Sequence, residues 1–250
     1  MRRYAARMCG IVGYVGAQSA LEMVLAGLRR LPHPDCGSAG VAVLADGGLA
    51  TARAAGTPDD LAEALDRRPL PTGTTALGHL RRDGRGAPAD RDALPRLDDA
   101  GRVAVVRDGA IDGWENPREE PAGSGHPLAA GTDTEDAARL LAQEFSSGAG
   151  PDEAMHRVCG PLTGRYVLAA VHAEDPDTLV AACRGLPLTV GRGDGEAFLA
   201  SRPAALGPEA LDVTEVLPPP DGGARVVVLR REDDEVRVEI TDVAGTVVER

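Results

Sequence analysis

Met8-Cys9-Gly10-Ile11-Val12-Gly13-Tyr14-Val15-Gly16 sets a cysteine at the front of a short apolar strand, directly after a methionine. A cysteine in first position carries two reactive groups on one residue: a thiolate as nucleophile and its own α-amine as base. The amine titrates at about 7.7–8.0 and a free thiol at about 8.5, so both stand close to neutrality. Nowhere else does the chain attach a base to a nucleophile. The plainer role for such a residue is a small buried cysteine in a strand, the usual fate of a lone Cys. The rest of the chain has to choose between the two.

Outward from this stretch, apolar spacing predicts the elements. Gly10–Val15 reads as a strand and Ser19–Leu31 as an amphipathic helix, with Leu21, Val24, Leu25, Leu28 and Leu31 on one face. Ser38–Leu44 is a second strand. Thr57-Pro58-Asp59-Asp60 is a strong helix start, with a cap, a proline at the first position and acids at the positive end, and that helix runs to about Arg67. A strand at Thr74–Leu80 precedes a polar Gly/Pro-bearing loop over Arg81–Asp99; Arg102–Arg107 is another strand, followed by a loop from Gly109 to Gly131. Helices follow at Asp133–Phe145 and Asp152–Val158. From Arg165 onward strands dominate: Tyr166–His172, Leu179–Cys183, Leu188–Gly191, Ala197–Ser201, Ala224–Arg230 and Val236–Thr241. In the last of these Val236, Val238 and Ile240 alternate with charges, which predicts one wet face. Many strands with short turns and a few clustered helices predict an α+β fold of mostly antiparallel sheets packed with helices.

Composition sets the bounds. At 250 residues the chain suits one large domain or two small ones, and is long enough to bury about 70–75% of its unfolded surface. Aromatics make up only 2% of it, so the core falls to Val, Leu, Ile and Ala. A net charge of −12 argues against nucleic acid or an anionic membrane as partner. All 27 basic residues are arginine. The lack of lysine excludes Schiff-base chemistry and a phosphate-loop lysine. No apolar run approaches the roughly 20 residues of a membrane span, no signal peptide is evident, and four scattered cysteines suit a reducing cytoplasm. The pairs His33/Cys36 and His156/Cys159 do not have a usual zinc spacing, and no metal or cofactor is expected. Gly191-Arg192-Gly193-Asp194-Gly195 lacks the strand-to-helix context of a nucleotide loop and reads as a hairpin turn, as does Arg230–Glu235.

A series of motifs, in order, resembles the class II glutamine amidotransferases, most closely the glutaminase half of glucosamine-6-phosphate synthase. They are the Cys9 strand, Leu28-Arg29-Arg30-Leu31, Ser38-Ala39-Gly40-Val41-Ala42-Val43, Gly78-His79-x-Arg81, Asp108-Gly109, Thr132-Asp133-Thr134-Glu135, Pro176-Asp177-Thr178-Leu179, Pro187-Leu188 and Phe198-Leu199-Ala200-Ser201. The resemblance implies a four-layer αββα sandwich of the N-terminal-nucleophile hydrolase type, with the first residue at its centre. It implies that Cys9 attacks the glutamine side-chain amide, forms a thioester and releases ammonia. Arg81 falls on the family's carboxylate-binding arginine, a role that suits a bidentate guanidinium. Asp133 falls on the aspartate that holds the substrate ammonium, within a stretch where Thr132 and Glu135 also form a capping box.

Departures from the family pattern lie close to these matches. The family's oxyanion hole uses an Asn side chain and the next Gly amide; here Asp108 stands for the Asn while Gly109 remains. An ionised aspartate offers no donor and repels the developing charge, whereas a protonated one still donates. Pro34-Asp35-Cys36-Gly37 replaces an R-G-Y-D, and Gly84 and Arg85 replace a Thr and a His after Arg81. Arg85, with Arg82, adds a cationic lining that would favour an acidic substrate.

Residues 1–8 are expected to be a leader or a misassigned start, with translation from Met8 the simpler version. Residues 9–250 form the amidotransferase domain, with no isomerase domain. Two functions are expected from these residues. One is a glutamine-hydrolysing enzyme that passes ammonia to a separate synthase subunit. The other is an impaired glutaminase that serves as a glutamine-binding or regulatory module.

Overall fold

Successive side chains of a strand leave on opposite faces, so a strand that is apolar throughout needs cover on both. The computed structural model describes residues 10–32, 36–45, 48–82, 93–112 and 133–249, with the backbone alone at Arg82 and Asp133. In it β1 (Gly10–Val15) is buried at every residue. Ile11 and Val15 face a second sheet, while Val12 and Tyr14 face helices. The chain continues through α1 (Ala20–Arg30), β2 (Cys36–Ala45), β3 (Gly48–Ala55), α2 (Pro58–Arg67), β4 (Thr75–Arg82), β5 (Arg96–Leu97) and β6 (Val103–Asp112). Two helices, α3 (Asp133–Ser146) and α4 (Pro151–Cys159), then precede β7 (Thr163–His172), β8 (Asp175–Arg184), β9 (Leu188–Arg192) and β10 (Ala197–Ala200). The strands β11 (Asp212–Val216), β12 (Arg225–Glu232), β13 (Glu235–Asp242) and β14 (Val247–Glu249) complete it.

The strands form two seven-stranded sheets, ordered β11-β9-β10-β1-β4-β2-β3 and β14-β13-β12-β8-β7-β6-β5, and the paired strands within them run antiparallel. Three cores define four layers. Val24 and Leu28 of α1 and Leu61 and Leu65 of α2 pack on the outer face of the first sheet. Ile11, Leu77 and Leu199 meet Val106, Ala169, Leu179 and Val227 between the sheets. Ala137 and Leu141 of α3 and Met155 and Val158 of α4 cover the outer face of the second. The expected αββα sandwich is therefore the fold, built on aliphatic side chains.

Local chemistry accounts for the best-predicted boundaries. The Thr57 hydroxyl accepts from the Asp60 amide, and the Asp60 carboxylate accepts from the Thr57 amide at 2.7 Å, closing a capping box that starts α2 after Gly56. Asp194–Gly195 and Asp233–Asp234 are hairpin tips, with Asp233 at φ 56° and Gly195 at φ 66°. β13 is dry on one face through Val236, Val238 and Ile240; its other face is wet at Arg237 but closed at Thr241, which meets His156 of α4 at 2.7 Å. The structure departs from expectation at the sheet margins. Strands β3, β5, β11 and β14 were not predicted, β4 runs on to Arg82, and β6 runs on to Asp112. The two H-x-x-C pairs are not brought together: Cys36 lies in the first sheet and Cys159 ends α4, packed against the second, while His33 lies outside the described residues.

At Gly13 the two sheets approach closely, since a Cβ there would come within 2.6 Å of a Leu179 methyl. Leu179 fills that space and is fully buried. Leu179→Ala is expected to cost about 2–5 kcal/mol of unfolding free energy in urea titration with far-UV circular dichroism unchanged.

Candidate functional site

The site begins with β4. Leu77 of this strand faces the second sheet while Ala76 and Leu80 face the helices. The period of two then sends His79 and Arg81 toward the inter-sheet layer. Gly10 pairs with Leu80 and Ile11 with His79, so Arg81 stands one residue beyond the first pair, at the end of the sandwich where β1 starts. That end of β1 is held from its other side as well. The Ile11 amide donates to the Ser201 hydroxyl at 3.0 Å, and the Ser201 amide donates back to the Ile11 carbonyl at 3.0 Å. Farther along, the Tyr14 hydroxyl donates to Glu196 at 2.7 Å and accepts from the Gln18 amide, fixing the turn after β1.

Across the gap, β6 presents the opposite wall. Val103 and Val105 face α3 and α4, whereas Ala104 and Val106 face the first sheet. Continuing the alternation aims Arg107 at α3 and Asp108 between the sheets, where Asp108 is 3% exposed. At Gly109 the strand turns to φ 85°, and a Cβ there would lie 2.1 Å from the Arg165 carbonyl oxygen. Only glycine fits both conditions. The Arg107 guanidinium reaches past it: Nη1 donates to the Gly109 carbonyl and Nε donates to the Thr134 hydroxyl at 3.2 Å. Thr134 is buried in the first turn of α3, one residue after Asp133.

Positive charge gathers at this end of an acidic chain. Arg96 of β5 pairs with Glu135 of α3 at 3.3 Å, and both lie near Arg53 of β3. Burial, and then the neighbouring Arg96, lowers the Arg53 pKa. His79, fully buried, is pushed down to about 3, chiefly by burial, with Arg107 and Arg81 adding to the effect; the Arg107 backbone carbonyl favours the charged form but does not offset the rest. His79 is therefore neutral near pH 7 and offers no imidazolium to pair with a thiolate. A guanidinium-rich end of this kind suits a small substrate bearing a carboxylate.

Among the expected site residues, Arg81, Asp108 and Gly109 stand on facing strands at one end of the inter-sheet layer. The backbone of Asp133 opens α3 beside them, tied in through Thr134. Cys9, Gly84, Arg85 and Pro34 lie outside the described residues, as do the side chains of Arg82 and Asp133. Cys36, in the segment that departs from the family pattern, donates its thiol to the Gly56 carbonyl at 2.9 Å and so knits β2 to the end of β3. Arg107 and Ser201 were missed as site-forming residues. Ser201 stood within a quoted motif, but nothing in the sequence marks Arg107 apart from its place before Asp108-Gly109.

The depressed His79 pKa has a measurable consequence. The unfolded chain takes up this proton below about pH 6.5 while the folded chain does not until about pH 3, so stability is full above pH 6.5 and falls as the pH drops below it. Urea titrations at pH 6.5 and 5 are expected to show the wild type losing about 2 kcal/mol more than His79→Gln over that interval. Equal losses would show that His79 is not held neutral by the fold.

Comparison with known proteins bears on this arrangement. No protein-family model matches the chain. A glutamine–fructose-6-phosphate aminotransferase (isomerising) of Streptomyces coelicolor is 52% identical over 231 residues, covering 92% of this chain and 36% of that protein. One of the same name from Leifsonia xyli is 40% identical over 243 residues, covering 97% of this chain and 38% of its own length. The chain thus spans a little over a third of the length of the curated relatives it matches. Among solved structures, the glutamine phosphoribosylpyrophosphate amidotransferase of B. subtilis shares the fold with a TM-score of 0.68 at 19% identity, over 96% of this chain and 50% of that one. A glutamine aminotransferase class-II domain protein of Silicibacter pomeroyi matches with a TM-score of 0.60 at 17% identity, over 94% of this chain and 99% of that one. Sequence relatives and sandwich agree with the family resemblance, and the chain belongs to the class II glutamine amidotransferase domains.

Proposed function

We propose that this chain hydrolyses glutamine through Cys9 and releases ammonia for an acceptor domain or subunit. The observation that carries the reading is the convergence of Arg81 on β4, Asp108–Gly109 on β6 and the start of α3 at the end of the inter-sheet layer where β1 begins. Glutamine is a zwitterion with a neutral amide at its far end, so it needs a cation, an anion and a nucleophile at fixed separations. Arg81 supplies the cation for its α-carboxylate and Asp133 the anion for its α-ammonium. The amide is left facing Cys9.

The chemistry then runs in two halves. The residue's own α-amine, free once Cys9 is residue one, takes the thiol proton as the sulfur attacks the amide carbon, and later gives that proton to the leaving nitrogen. The carbonyl oxygen becomes an oxyanion beside the Gly109 N–H. Collapse breaks the C–N bond, ammonia leaves with the returned proton, and a thioester remains. Water, deprotonated by the same amine, then attacks the thioester and yields glutamate and the free thiol. An ionised Asp108 slows both halves, because a carboxylate beside an oxyanion supplies repulsion where an amide would supply a donor.

Protein beginning at Cys9, confirmed by mass spectrometry, is expected to release glutamate from glutamine, and Cys9→Ala is expected to abolish that release. Absence of Cys9-dependent release would refute the reading. Asp108→Asn is expected to raise kcat roughly 100-fold, the scale of one oxyanion donor. A second reading, a glutamine-binding module whose chemistry has been retired, is favoured by Asp108. Glutamine binding without turnover in both wild type and Asp108→Asn would select it.

A further inference from the structure

We infer that Arg107 is a positioning residue that locks the oxyanion side of the site to the side holding the substrate's α-amine. The inference rests on the glutaminase reading above. Gly109 is a glycine because its φ of 85° and the 2.1 Å approach to the Arg165 carbonyl exclude any side chain. Gly109 is paired with Tyr166 in the β6–β7 ladder, yet a residue without a side chain is the least restrained in its own φ and ψ, and the reaction needs its N–H held in one direction. The bond from Arg107 Nη1 to the Gly109 carbonyl holds the following peptide, Gly109–Ala110, and so fixes Gly109 from its C-terminal side.

The other limb of the same guanidinium holds α3. Its Nε donates to Thr134, the second residue of the helix, while Ala137 and Leu141 one and two turns on are fixed by packing against Val103 and Val105. Packing therefore sets the body of α3, and Arg107 sets its first turn, where Asp133 stands. One planar fork joins two acceptors that belong to different elements and face different ends of the substrate. A lysine carries the charge but is a point donor on a flexible stem and does not reproduce the fork. Arg107 touches no reacting atom in this scheme. It acts through Gly109 and through Asp133.

Steady-state glutamine hydrolysis by protein beginning at Cys9 tests the inference in three variants. Arg107→Ala is expected to lower kcat about 10- to 100-fold and to raise KM. Arg107→Lys is expected to give little rescue. Thr134→Val, which removes only the α3 limb, is expected to raise KM several-fold while kcat stays within about twofold. A role in stability alone would lower Tm and leave kcat and KM of the folded protein unchanged, and that result overturns the inference while leaving the glutaminase reading intact. Should the wild type bind glutamine without hydrolysing it, calorimetry replaces kinetics. Arg107→Ala and Thr134→Val must then each weaken Kd about tenfold, and an unchanged Kd overturns the inference. A wild type that neither binds nor hydrolyses glutamine removes both proposals together.

Discussion

Everything in this sandwich answers to one constraint: β1 is buried on both faces. A strand in that position cannot bend toward solvent, and it can be reached only from its ends or its neighbours. Its neighbours are accordingly fixed at residue level, with β4 and β10 antiparallel on either side, Ser201 bonded twice to Ile11, and Tyr14 anchored to Glu196. The second sheet comes so close that Gly13 has no room for a methyl group beside Leu179. Small residues along β1 thus follow from its place in the layer order. The site at its beginning inherits that rigidity.

Burial also decides how charge is used. The net charge is −12, yet Arg53, Arg81, Arg96 and Arg107 are drawn to one end of the inter-sheet layer, where Asp108 and Glu135 are the acids that accompany them among the described residues. Guanidinium groups tolerate partial desolvation better than ammonium groups and hold their proton through it. A chain without lysine is well suited to such a cluster. His79 yields instead, because imidazole loses its charge at a cost that burial readily exceeds.

The elements that were legible in the sequence are those with a strong local signature. The capping box at Thr57 marked α2 to the residue, and the apolar runs of β1, β7, β8 and β12 read directly as strands with two buried faces. The four unpredicted strands lie at or beside sheet edges, and their sequences explain the omission. β3 is Gly-Leu-Ala-Thr-Ala-Arg-Ala-Ala, with little contrast between faces; β5 has two residues; β11 and β14 are largely exposed. Pairing with a neighbour makes these strands, and a neighbour in space is not visible in a linear pattern. The site divides in the same way. Arg81, Asp108, Gly109 and Asp133 were read from the motifs in which they sit, whereas Arg107 acquires its meaning from Thr134, 27 residues away.

Gly109 and Asp108, adjacent on one strand, keep different kinds of record. The backbone turn and the nearby Arg165 carbonyl demand glycine at 109 whether or not any substrate ever arrives. A descendant of this chain that had lost its reaction long ago would still carry that residue, just as an active one would. Glycine at 109 is therefore testimony about architecture. Its neighbour keeps an ordinary strand backbone, so what stands at 108 records what is asked of a side chain buried between the sheets.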